Sequence, residues 1–180
     1  EQLKGEPVES IYFQGAPADN IYFGTYKQSS DGSGDYNTDP IKWRVLSNLD
    51  GKLFLLSDQN LDLKPYNSRY TNTTWERSTI RSWLNGYAAN ENNNGEDYSD
   101  DNFIDTAFSS DEQTAIAETY VYNKTQSDGS SDPNPEYDTP GGEDTTDKIF
   151  LLSIEEANNS SYFPNGSSSR ISTNTAYVAS

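Results

Sequence analysis

Apolar and polar positions alternate most clearly at residues 41–46, where Ile41, Trp43 and Val45 interleave with Lys42 and Arg44, the period-2 pattern of a half-buried strand. Asp50-Gly51 follows as a two-residue hairpin turn, and the run 53–57, Leu-Phe-Leu-Leu-Ser, continues as a more fully apolar strand. Upstream, the aromatic and β-branched stretch 21–26 predicts another strand, separated from residue 41 by an acidic loop. These three segments predict a meander with one face on a core.

The period changes after residue 72. Trp75, Ile80, Trp83, Leu84 and Tyr87 recur at helical spacing, Thr73 and Glu76 have the spacing of a capping box, and Asn85-Gly86 offers a left-handed stop. A polar loop leads to a short helix or turn at 103–108, and Ser109 or Ser110 is placed to cap a helix running to residue 122. Residues 123–147 read as a long loop rich in Pro, Gly, Asp and Ser. Lys148 to Ser153 predict a second apolar strand, Ser153 with Glu156 caps a short helix, and the Ser/Thr/Asn-rich tail holds an edge strand near its end. Strands first, helices in the middle and a returning strand describe an α+β fold with a mainly antiparallel sheet and packed helices.

Composition narrows the function classes. The 180 residues suit one domain over 21–180, with residues 1–20 as an extension. Thirteen Tyr, seven Phe and three Trp supply large buried faces that an acidic disordered chain lacks. A net charge of -17 repels phosphate backbones and anionic lipid surfaces, so nucleic acid and membrane-surface partners are not expected. The chain has no Cys and no His, which removes disulfides, thiolate chemistry, imidazole ligands and any Ser-His triad. No apolar run reaches the roughly 18 residues that a membrane span needs. The lack of Met implies processing or a fragment, and the whole profile predicts an exported, secreted or cell-surface chain of bacterial type.

Several spaced phrases carry a resemblance: "IYFGTYKQ", "PIKWRVL", "LFLLSDQNLDLKPYN", "TTWERSTIRSWLN", "FIDTAFSSDEQTAI" and "GGEDTTDKIFLLSIEEANNSSYF". Together, over about residues 21–177, they resemble the bacterial surface domain of unknown function numbered 6273. The resemblance implies a secreted or wall-attached module, a fold similar to C-type-lectin-like domains, and no known reaction. Members continue past a phrase like the terminal "RISTNTAYVAS" into a Trp-Trp-Leu-Arg-Ser-Pro segment, so the expected sheet is incomplete at the C-terminus. The phrase Ile11-Tyr12-Phe13 repeats as Ile21-Tyr22-Phe23. The first copy reads either as a protease-recognition scar or as a strand free to add to the sheet edge of a neighbouring copy.

Candidate chemistry is sparse. Asp31, Ser33, Asp35, Asn37 and Asp39 fall at alternate positions like the early part of a Ca²⁺ loop, although Lys42 stands where the closing Glu belongs. Asp97, Asp100 and Asp101, and Asp128 with Asp132, are weaker groups of the same kind. A pair of carboxylates could in principle serve a glycosidase, but 29 acidic residues offer no way to choose one, Glu76, Glu112 and Glu156 suit helix starts, and no enzyme activity is expected. Trp43, Trp75 and Trp83 read as core, whereas Tyr66, outside regular structure, is the candidate ligand-contacting aromatic. Asn72, Asn123, Asn158, Asn159 and Asn165 stand in glycosylation sequons that read as ordinary loop chemistry. The expected function is a non-catalytic surface module binding a host or bacterial glycan or protein, with self-assembly as the alternative.

Overall fold

A computed structural model describes residues 20–124 and 141–180. The Ile11-Tyr12-Phe13 phrase and the Asp128/Asp132 group lie outside the described residues. The architecture is α+β, with seven strands and four short α-helices among the described residues. The described residues divide into two compact units: those up to Leu63 with Phe108–Ala115 and Asn158–Ser180, and Lys64–Ala107 with the described residues between Ile116 and Ala157.

The first unit is built on an antiparallel sheet of β1 (Asn20–Ser30), β2 (Tyr36–Leu49) and β3 (Lys52–Ser57), in that order. Asp50 at φ 51 and Gly51 at φ 76 close the β2–β3 hairpin, the pair of positive angles that a two-residue turn of type I′ requires. Ile41 is fully buried at the sheet centre, a burial worth roughly 2 kcal/mol relative to exposure. The register slips between Tyr22 and Thr25, where Gly24 turns to φ 70 and makes a bulge. Both backbone groups freed there find side chains. The Phe23 carbonyl accepts from Trp43 Nε1 at 2.7 Å, and the Gly24 N–H donates to Glu112 Oε1 at 3.2 Å. Phe108 packs on Phe23 and Trp43, with ring centroids 5.2 and 6.3 Å away. A separate parallel pair joins β4 (Gln59–Asn60) to β7 (Thr173–Asn174), and Tyr177 sits edge-on to Tyr26 and Tyr36.

The second unit packs α1 (Thr79–Asn85) against α2 (Phe103–Ala107), with Trp83 and Phe103 rings 5.6 Å apart. The expected capping box of Thr73 and Glu76 is not formed. Trp75–Arg77 is a 3₁₀ turn without a side-chain cap, and α1 starts later, where the Ser78 hydroxyl accepts from the Arg81 N–H. Gly86 at φ 71 does supply the left-handed stop, and a Cβ there would press on the Asn102 side chain at 3.0 Å.

Two further expectations are corrected. The helix capped by Ser109 is only α3 (Ser110–Ala115), in the first unit. The residues expected to continue it instead form β5 (Thr119–Val121), antiparallel to β6 (Thr145–Asp147) in the second. β-Branched Thr119 and Val121 with Tyr120 favour the strand once a partner is in reach. Residues 148–153, apolar enough to read as a strand, are irregular. The Asn85 side chain holds their bend, accepting from the Lys148 and Ile149 N–H groups and donating to the Ile149 carbonyl at 2.8 Å. Ser153 and Glu156 form the expected reciprocal cap on α4 (Ile154–Ala157).

Candidate functional site

Residues 64–73, between β4 and the 3₁₀ turn, have no regular backbone and carry two tyrosines four apart. Tyr66 is 44% exposed and Tyr70 wholly so. With Arg69, Asn72 and their neighbours they line an open depression of about 450 Å³. Partial burial of the Tyr66 ring pushes its phenol above the ordinary value, and a hydrogen bond with Ser78 works against that rise.

An exposed aromatic can serve as a contact surface only if the backbone beneath it is held, and here polar side chains hold it. The Tyr66 carbonyl accepts from the Ile80 N–H at 3.2 Å, and the Ser68 N–H donates to Thr79 Oγ1 at 2.8 Å, tying the loop to α1. Asn67 Nδ2 donates to the Arg69 carbonyl and to Thr71 Oγ1, closing the loop on itself. From the opposite side Asn94 Nδ2 donates to Asn67 Oδ1 at 3.2 Å and Ser68 Oγ at 2.6 Å. The stretch that supplies this brace is the Asn-rich polar loop 90–94, anchored by buried Asn92. Asn92 Oδ1 accepts from the Asn94 and Glu96 N–H groups, and its Nδ2 donates to Ser82 Oγ and the Glu96 carbonyl. Ser68 and Tyr98 donate to opposite oxygens of Glu96, which hold that carboxyl below its usual range. Burial and the same carboxylate push the Tyr98 phenol up to about 12.

Asp147 on β6 anchors the same unit from within and is 1% exposed. Its carboxylate accepts from Trp75 Nε1 at 3.0 Å, Arg81 Nε at 2.9 Å, Thr145 Oγ1 at 2.6 Å and the Tyr87 hydroxyl at 2.9 Å. The Arg81 guanidinium lies 4.7 Å from the Tyr87 ring centroid, and burial followed by the Asp147 charge raises the Tyr87 phenol to about 12. All its oxygens are engaged by the protein, which is the arrangement of a structural hub.

The proposed cation loop is divided by the fold. Asp31, Ser33 and Asp35 lie in the β1–β2 turn, where Asp31 accepts from the Ser33 and Asp35 N–H groups and the Ser33 hydroxyl. Asn37 and Asp39 belong to β2. Asp39 Oδ2 accepts from the Ser29 N–H and hydroxyl, while Asn37 Nδ2 donates to Ser29 Oγ and the Ser30 carbonyl. These bonds lower both the Asp31 and the Asp39 carboxyl groups below the ordinary range. Asp97 accepts from the Ser99 N–H and hydroxyl.

Glu112 closes a capping box with Ser109 besides holding the Gly24 bulge, and Glu76 accepts from the Glu143 N–H. Trp75 and Trp83 are buried, and Trp43 is half-buried. Tyr70 and Arg69 escaped the sequence reading, although their signal was present: two tyrosines and an arginine within a run otherwise lacking apolar residues.

Fold and site together define an α+β chain with a braced, tyrosine-bearing polar loop. Residues 50–179 match the family described as Domain of unknown function (DUF6273), and the chain belongs to that family. The matched residues include the tyrosine loop, its Asn-rich brace and Asp147, whereas "IYFGTYKQ" and "PIKWRVL" precede them. No curated protein and no solved structure matches the chain.

Proposed function

We propose that this chain is a non-catalytic extracellular bacterial surface module, of C-type-lectin-like character, whose loop 66–73 binds a glycan or protein ligand. The observation that carries the reading is the exposure of Tyr66 and Tyr70 on a backbone cross-braced by Asn67, Ser68 and Asn94. Tyrosines on a braced backbone have only two side-chain torsions to order on binding, which is how they come to dominate contact surfaces.

Glu112 and Glu156 hold helix starts and Glu76 holds loop backbone, so their hydrogen bonds favour structural roles. Calorimetry against immobilised or soluble glycans and surface proteins should give saturable binding, with no turnover across a glycosidase substrate panel. Tyr70→Ala should weaken that binding by about ten-fold or more, the loss expected of a contact-surface tyrosine. Binding indifferent to both Tyr66→Ala and Tyr70→Ala, or turnover abolished by one carboxylate substitution, would overturn the proposal.

A further inference from the structure

We infer that the ligand of loop 66–73 is an acidic glycan of low charge density, recognised through one carboxylate by Arg69. The inference rests on the loop being a ligand surface, and it starts from how the arginines are employed. Arg44 donates to the Ser169 carbonyl, Arg77 to Asn90 and Asn93, Arg81 to Asp147 and Glu76, and Arg170 to Asn158. Arg69 is exposed, and among the described residues its guanidinium donates no hydrogen bond and enters no ion pair. Its charge reaches Glu96 only through space. Arg77 and Arg170 direct donors to amide and carbonyl oxygens, whereas the Arg69 guanidinium keeps all its donors for a partner outside the described residues.

The chemistry around it selects the partner. A planar fork of N–H donors matches a carboxylate, which it can bind through two parallel hydrogen bonds. Tyr66 and Tyr70 flank Arg69 in sequence and offer ring faces on which the C–H face of a pyranose can stack. Asn72 adds an exposed amide for sugar hydroxyls, with no side-chain hydrogen bond of its own among the described residues. The lining contains no Leu, Ile, Val or Phe, so it lacks the aliphatic floor into which an amphipathic helical peptide lays its apolar face. A net charge of -17 disfavours polyanions at long range, whereas one carboxylate meeting one guanidinium at contact is compatible with it.

Calorimetric titration of the full chain with 3′-sialyllactose against lactose, and with the monoanion methyl β-glucuronide against its methyl ester, tests this directly. At least one acidic probe should bind about ten-fold or more tightly than its neutral counterpart, the gain of a charge-assisted hydrogen bond. Arg69→Gln should erase that difference, while Arg69→Lys should retain part of it. Because the Arg69 side chain holds nothing else in the fold, circular dichroism of both variants should match the parent.

If acidic and neutral probes bind equally and Tyr70→Ala weakens both, the acidic assignment fails and the ligand loop stands. If only an acidic peptide binds, and does so through Arg69, the ligand class is wrong. If no probe binds and no loop variant alters retention of any glycan, the loop itself is refuted as a ligand surface.

Discussion

Removing a carboxylate from water costs on the order of several kcal/mol unless its oxygens are filled, and Asp147 fills them with Trp75, Arg81, Thr145 and Tyr87. Asp147→Asn keeps the shape but leaves Arg81, whose side chain is 11% exposed, without its counter-charge. The expected loss is about 3–5 kcal/mol in urea unfolding followed by tryptophan fluorescence, since Trp75 reports on the same cluster. A loss under about 1 kcal/mol would mean that the cluster is replaceable. Glu96 gives a pH-dependent test. Its folded value lies below the ordinary 4.5, so its contribution is complete above that value and disappears as pH falls through the lowered folded value. The stability gap between the parent and Glu96→Gln should therefore be widest near neutrality and close in acid. A gap that widens in acid would contradict the Ser68 and Tyr98 bonds as its source. Tyr87 and Tyr98 act in the opposite sense. Raised to about 12, they favour the folded state fully below pH 10 and lose that effect between 10 and 12.

Among the elements, the bend at 148–149 gives the sharpest substitution series. Asn85→Ala removes two acceptor contacts and two donor contacts at once, three of them to that bend, and should cost about 1–3 kcal/mol by chemical denaturation. Asn85→Asp keeps the acceptor and loses the donor, so it should fall between the parent and Asn85→Ala. Equal stability of all three would remove Asn85 as the reason the apolar run bends. Elements whose signals are local were legible in the sequence. Asp50-Gly51, the Ser109/Glu112 and Ser153/Glu156 caps, and the Gly86 stop all depend on residues within a few positions of one another. What could not be read depended on distant partners. Residues 119–121 become a strand because 145–147 lie beside them, and the bend at 148–149 follows from an amide more than sixty positions earlier. The candidate loop was half legible for the same reason: Tyr66 stood out, but only the Asn94 and Ser68 bonds show that the loop around it is held.

Over the whole chain, 29 acidic groups face 12 basic ones, and the excess acts against compaction by mutual repulsion. The ion pairs among the described residues do not offset this. Lys27–Asp35 and Lys124–Glu155 are exposed contacts that contribute little and are weakened by salt, and Lys42–Asp58 and Arg44–Asp58 are only partly covered. Arg81–Asp147 is buried and little screened. Added salt therefore shields the unfavourable repulsion more than it weakens favourable pairs. Raising NaCl from about 10 mM to about 0.5 M shortens the screening length from roughly 30 Å to under about 5 Å. The melting temperature should rise by several degrees across that range, most of the gain arriving below about 0.15 M, where the length already falls to roughly 8 Å. The parallel run should use Asp147→Asn, in which the buried pair is gone but the surface excess is nearly unchanged, so its melting temperature should climb in step with the parent's. A fall in melting temperature with salt would mean that specific surface pairs outweigh the net charge, and would locate the stabilising electrostatics in contacts such as Lys42–Asp58.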